Sequence, residues 1–224
     1  LGAGSGIFYI TTFISFRLYH LIPGPLAFTL LVSITALSLY LAVLANTRTL
    51  AVLGMIGGFL APALTSEQSG NHILLFSYLA ILNLGIFGVC WYRAWRELNL
   101  TGFFFTFALA SAWGERYYRV EYFASSEIFL LFFLALYSGI TILFSIRTAQ
   151  HNAKTFKTGA VDSLMTFATP LFAFIFQYEL VKEFEYGLAW SALGFGAFHI
   201  ILARVLFNHY SAKLRFLIES YFAV

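Results

Sequence analysis

Eight long apolar runs, nearly free of charge, follow one another at roughly residues 1–21, 25–45, 49–65, 72–92, 98–113, 128–146, 161–178 and 186–206. A helix needs about 20 mostly apolar residues to cross the hydrocarbon core of a bilayer. Most of the runs meet that length. The third and fifth are the shortest, near sixteen residues each, and read as tilted spans, re-entrant segments or spans lengthened by their flanks. No ten-residue alternation of polar and apolar positions appears, as a membrane β-barrel would require. The chain therefore reads as all-α, a polytopic transmembrane helix bundle of about eight spans. Composition agrees: 60% of the 224 residues are hydrophobic and 10% charged, against about 45–50% and about 25% in soluble domains. That much apolar surface needs lipid as solvent.

The connections are short. Pro23-Gly24-Pro25 makes a tight turn, with Pro25 suited to a helix start. Thr65–Asn71 is a polar loop, and 114–127 and 147–159 are the longest links. None holds a separate soluble domain, so residues 1–224 read as one transmembrane domain. Leu1 is no start methionine, and the sequence stops within a further apolar segment. The expectation is a fragment of a longer chain.

Loop charge sets the orientation, because cytoplasmic loops retain Lys and Arg during insertion. Loops after even-numbered runs carry nine: Arg48, Arg93, Arg96, Arg147, Lys154, Lys157, Arg204, Lys213 and Arg215. Loops after odd-numbered runs carry three: Arg116, Arg119 and Lys182. The even-side loops and the N-terminal end are expected in the cytoplasm. The other side is acidic, with Glu67, Glu115, Glu121, Glu127, Glu179, Glu183 and Glu185. The basic residues form no stripe, which gives no footprint for nucleic acid. Cys90 stands alone, so neither an intrachain disulfide nor a cysteine metal site is expected.

A shift of 108 residues carries Pro62 onto Pro170, Tyr78 onto Tyr186 and Gly88 onto Gly196. This reads as a parallel four-helix internal repeat with halves 25–113 and 128–224; the alternative is chance matching between apolar runs. The strings Leu50–Leu64, with Gly57-Gly58-Phe59-Leu60-Ala61-Pro62, then Tyr78–Gly85 and Ala168–Gln177, resemble a family of multi-pass bacterial inner-membrane proteins. Phe16-Arg17-Leu18-Tyr19 fits as well. That family, DUF2339, is a domain of unknown function. The resemblance spans essentially the whole chain. It implies the bacterial inner (plasma) membrane and brings no catalytic residues.

The candidate ligand-binding residues are Gly57, Gly58, Pro62, Asn83, Pro170, Arg17 and His199. Gly54-x-x-x-Gly58 reads first as a smooth packing stripe. The sharper reading is that Gly57, Gly58 and Pro62 break the third helix and free carbonyls for a ligand. Gly- or Pro-interrupted segments at matching places in two repeats mark binding sites in transporters. Proline leaves the carbonyls of Gly58 and Thr166 without their usual partner. Asn83 stands mid-run, where an amide bonds to another helix or to a ligand. Gln177 lies near the outer end of its run. Arg17 either snorkels, pairs with an outer glutamate or meets an anionic substrate. His199 is a packing histidine or a proton relay. No catalytic motif, metal cluster or cofactor fingerprint is present.

Three function classes remain. The first is transport or flipping of a small molecule or lipid-linked substrate. The second is a non-enzymatic scaffold or assembly partner for other membrane proteins. The third is a membrane enzyme acting on a lipid-linked substrate, with Glu115, Glu121 and Glu127 as its acids; the balance leans against an enzyme. The expected partners are the lipid bilayer and other membrane proteins, with no cofactor.

Overall fold

In hydrocarbon every backbone N–H and C=O must find its partner within the protein, which drives each apolar run into a helix. A computed structural model describes residues 2–65, 71–151 and 159–210. Eight α-helices occur among the described residues: α1 Gly2–Arg17, α2 Gly24–Leu44, α3 Arg48–Thr65, α4 His72–Tyr92, α5 Arg96–Tyr117, α6 Phe123–His151, α7 Gly159–Val181 and α8 Gly187–Tyr210. A 3₁₀ turn, Val120–Tyr122, leads into α6. Five segments are long and apolar enough to cross a membrane: Gly24–Leu44, His72–Tyr92, Val120–Arg147, Leu164–Val181 and Gly187–Asn208. In α3 the apolar stretch Arg48–Pro62 is shorter. The loop residues Glu67, Ser69, Lys154, Lys157, Lys213 and Arg215 lie outside the described residues.

Helix ends depart from hydropathy where polar residues continue the backbone ladder. The fifth run, 98–113, becomes the 22-residue α5, which adds Arg96, Glu97, Glu115 and Arg116 to its ends. The sixth extends to 29 residues. Conversely α1 stops at Arg17, short of residue 21, because His20 turns to φ 49° ahead of Pro23. Asn71 caps α4 by accepting the Leu74 N–H at 3.2 Å, which satisfies one of the helix's orphan donors.

The chain divides into two units, residues 1–117 and 118–224. In the first, α3 lies among α1, α2, α4 and α5. Its small residues let α2 come close. A Cβ on Gly58 would stand 2.7 Å from Thr35 Cγ2, and one on Gly54 2.8 Å from Ser38 Cβ. Ala51, Met55, Phe59 and Ala61 on α3 are buried. Between α4 and α5, Trp113 packs on His72 and Phe76.

In the second unit α7 packs on α6 and α8. Leu130 and Leu134 of α6, Ala173 of α7 and Phe195 of α8 form one apolar cluster. Ala203 and Leu206 of α8 pack with Ile142 and Ile146 of α6 in another.

Candidate functional site

The first unit shows what becomes of the carbonyl that Pro62 releases. The Tyr78 hydroxyl, on α4, donates to Gly58 O at 2.6 Å. One turn earlier on α3, the Tyr9 hydroxyl donates to Gly54 O at 2.9 Å and shares a 2.7 Å hydrogen bond with Thr35 Oγ1. A Cβ on Gly57 would collide with the Tyr9 ring, so glycine is needed there for close approach. Gly57 and Gly58 thus meet tyrosines from neighbouring helices, and the carbonyl that Pro62 frees is taken by Tyr78. Asn83 is fully buried and donates to Leu79 O at 2.8 Å and to Thr106 Oγ1 at 2.7 Å, which ties α4 to α5. Arg17 ends α1 and is exposed, where its charge suits the negative helix end.

The match between Tyr78 and Tyr186 does not extend to their surroundings. Tyr78 is 6% exposed, whereas Tyr186 is 71% exposed with φ 59° just before α8. In the second unit Pro170 and Thr166 are buried within α7. His199 is buried, with Nδ1 2.7 Å from Phe195 O of its own helix, and Phe198 presents its ring at 90° to the imidazole.

A different group of polar residues in this unit surrounds open space. A cavity of ≈ 640 Å³ lies among α6, α7 and α8, within the usual range of about 300–1,000 Å³ for ligand pockets. Its walls are apolar, with Leu131, Leu134, Phe184, Trp190, Phe195 and Phe198. Its polar pole is Glu127, Gln177 and Ser191. Gln177 Nε2 donates to Glu127 Oε1 at 3.1 Å and to Ser191 Oγ at 3.0 Å. An ionised carboxylate only accepts, which turns the amide nitrogen toward it. Both N–H groups of Gln177 are then used. Gln177 is 2% exposed, and its Oε1 and Glu127 Oε2 are buried without a partner. Two buried acceptors beside this apolar space therefore lack donors.

Helix ends fix the depth of this pole. Gln177 is four residues from the end of α7 at Val181, and Ser191 four from the start of α8 at Gly187. At about 1.5 Å rise per residue, both lie about 6 Å inside the helix ends. Pro170 is seven residues deeper on α7 and does not line the cavity.

A family model described as a predicted membrane protein, DUF2339, matches residues 1–224. The chain belongs to the DUF2339 family. No curated protein and no solved structure matches it. The protein is a membrane protein with several helices long and apolar enough to span. Among the described residues of this DUF2339 chain, no group of three His, Cys, Asp or Glu is placed to hold a metal ion. Glu115 and Glu121 are exposed.

In the sequence Glu127 reads as one of the outer acids and Gln177 as a residue near the outer end of its run. Under the 108-residue shift Gln177 falls on Ser69, so the repeat pairs it with no second amide. The signal that joins them is the antiparallel pairing of α6 with α7, which places the eighth residue from the start of one span beside the last turn of the other.

Proposed function

We propose that this DUF2339 protein binds a largely apolar molecule with a hydrogen-bond-donating head in the cavity among α6, α7 and α8. Binding there is the recognition step in transport or flipping of a small molecule or lipid-linked substrate. The observation that carries this reading is the pair of buried, unpartnered acceptors, Glu127 Oε2 and Gln177 Oε1, beside an apolar cavity. An unpartnered polar group in a low-dielectric site costs about 1–3 kcal/mol, more when charged. A donor from the ligand removes that cost. An ionisable residue inside a span is by default a functional one.

All eight helices cross the bacterial inner membrane in this proposal, with residues 25–113 and 128–224 as parallel copies. The excess of Lys and Arg on the even-side loops puts the polar pole near the outer face. An amphiphile entering from the outer leaflet would keep its head there and its chain among the aromatic rings.

A cavity-filling substitution tests the reading. Gly194 lines the cavity, and a Cβ there meets nothing within 4 Å. Gly194→Phe should place a ring in the space without backbone strain. Native mass spectrometry of the wild type, released from membranes, should show a bound amphiphile that Gly194→Phe lacks. In proteoliposomes the wild type should speed the leaflet exchange of fluorescent amphiphiles and the variant should not. Equal adducts and equal exchange rates in the two proteins would remove the proposal.

A further inference from the structure

We infer that the head of the bound molecule is a cationic ammonium group, making the ligand an alkylamine-like amphiphile rather than an alcohol or a phosphate ester. This rests on the cavity being a binding site and adds the charge of what it binds. Three features of the second unit converge on a cation. The polar pole offers acceptors only: Glu127 Oε2 and Gln177 Oε1 have no partner, and both N–H groups of Gln177 are engaged within the protein. Among the described residues no Lys, Arg or His lines the cavity, so an anionic head would meet a carboxylate with nothing to neutralise it. A phosphate would be repelled, and a single hydroxyl could satisfy only one of the two acceptors. A primary ammonium has three donors and a positive charge, enough for both oxygens with one N–H to spare.

The approach is acidic as well. This end of the unit carries Glu121, Glu127, Glu179, Glu183 and Glu185 against Arg119 and Lys182. Lys182 is already paired with Glu179 at 2.7 Å. Negative potential at the mouth of a low-dielectric cleft concentrates cations there.

The test uses the chain in lipid nanodiscs, with dodecylammonium, dodecanol and dodecyl phosphate titrated calorimetrically and the heat of empty nanodiscs subtracted. The chains are equal, so the heads alone differ. Dodecylammonium should bind saturably and about 10- to 100-fold more tightly than dodecanol, because it brings a positive charge beside the Glu127 carboxylate and a further donor for Gln177 Oε1. Dodecyl phosphate should not bind. Glu127→Gln, shown to be folded by its helical circular dichroism and size-exclusion profile, should lose most of that preference, with dodecylammonium binding within about 3-fold of dodecanol. Glu121→Gln, at an exposed position that does not line the cavity, should preserve the order of the three. Equal affinity for ammonium and alcohol in the wild type would overturn the cation inference and leave the cavity reading standing. Saturable binding of the phosphate would also overturn it. No saturable binding of any of the three would overturn both.

Discussion

Removing the Tyr78 hydroxyl tests how the protein deals with the proline in α3. Tyr78→Phe deletes one oxygen, the donor that lies 2.6 Å from Gly58 O at a position only 6% exposed. Pro62 has no N–H to give that carbonyl. Leaving a buried acceptor unmatched costs about 1–3 kcal/mol, and hydrogen bonds between membrane helices reach about 1.7 kcal/mol. The bond is short and the site dry, so the expected loss is about 1–2 kcal/mol, or roughly a 5- to 30-fold fall in the folded-to-unfolded ratio. The sharper readout is a double-mutant cycle with Pro62→Ala. Alanine restores the N–H that can reach Gly58 O within the helix. Tyr78→Phe should then cost much less in the Pro62→Ala background, with a coupling of about 1 kcal/mol. The assay is reversible unfolding in mixed micelles. Equal costs for Tyr78→Phe in both backgrounds, or a cost below about 0.3 kcal/mol, would refute the reasoning, since typical neutral bonds contribute about 0.5–1.5 kcal/mol.

Three further outcomes are expected. Gly57→Ala should destabilise by about 1–3 kcal/mol through overpacking against the Tyr9 ring, and Tyr9→Leu should relieve most of that loss in the same unfolding assay. Tyr118 lies outside the spans, and burial, followed by the nearby charges of Glu183 and Glu127, raises its pKa while Lys182 opposes them. Its hydroxyl donates to Leu180 O at 3.2 Å. The folded-state value lies above the unfolded one, so this contribution is full below the unfolded pKa and fades as pH rises through the folded pKa; alkaline unfolding curves should flatten in Tyr118→Phe. For topology, single cysteines in a Cys90→Ser background should react with an impermeant external reagent at Ser69 and not at Lys154; strong external labelling at Lys154 would reverse the orientation.

Helix type, and a helix for each of the eight apolar runs among the described residues, were legible because hydrocarbon leaves the backbone few alternatives to the helix, although only five segments are long and apolar enough to span. The 72–92 run matches α4. Ends were less legible. Hydropathy marks where lipid contact stops, whereas the backbone ladder of α5 runs on through Arg96, Glu97, Glu115 and Arg116. Asn83 was readable as a residue that needs a partner, and it bonds to Thr106 on the next helix. The Gly58 carbonyl was readable as freed by Pro62, but its partner was not, because Tyr78 reads only as a matched position of the repeat until α3 and α4 are packed. Gln177 was missed for a similar reason. A glutamine near a span end looks like a headgroup contact, and only the pairing of α6, α7 and α8 shows that it is buried between Glu127 and Ser191.

The most direct measurement for the binding proposal is an experimental structure of the protein in a bilayer, purified without added ligand. The account predicts elongated density among α6, α7 and α8, its head within hydrogen-bonding distance of Glu127 Oε2 and Gln177 Oε1 and its tail against Trp190 and Phe198. A cavity closed by side chains, with Gln177 Oε1 and Glu127 Oε2 bonded to other groups of the protein, would contradict it.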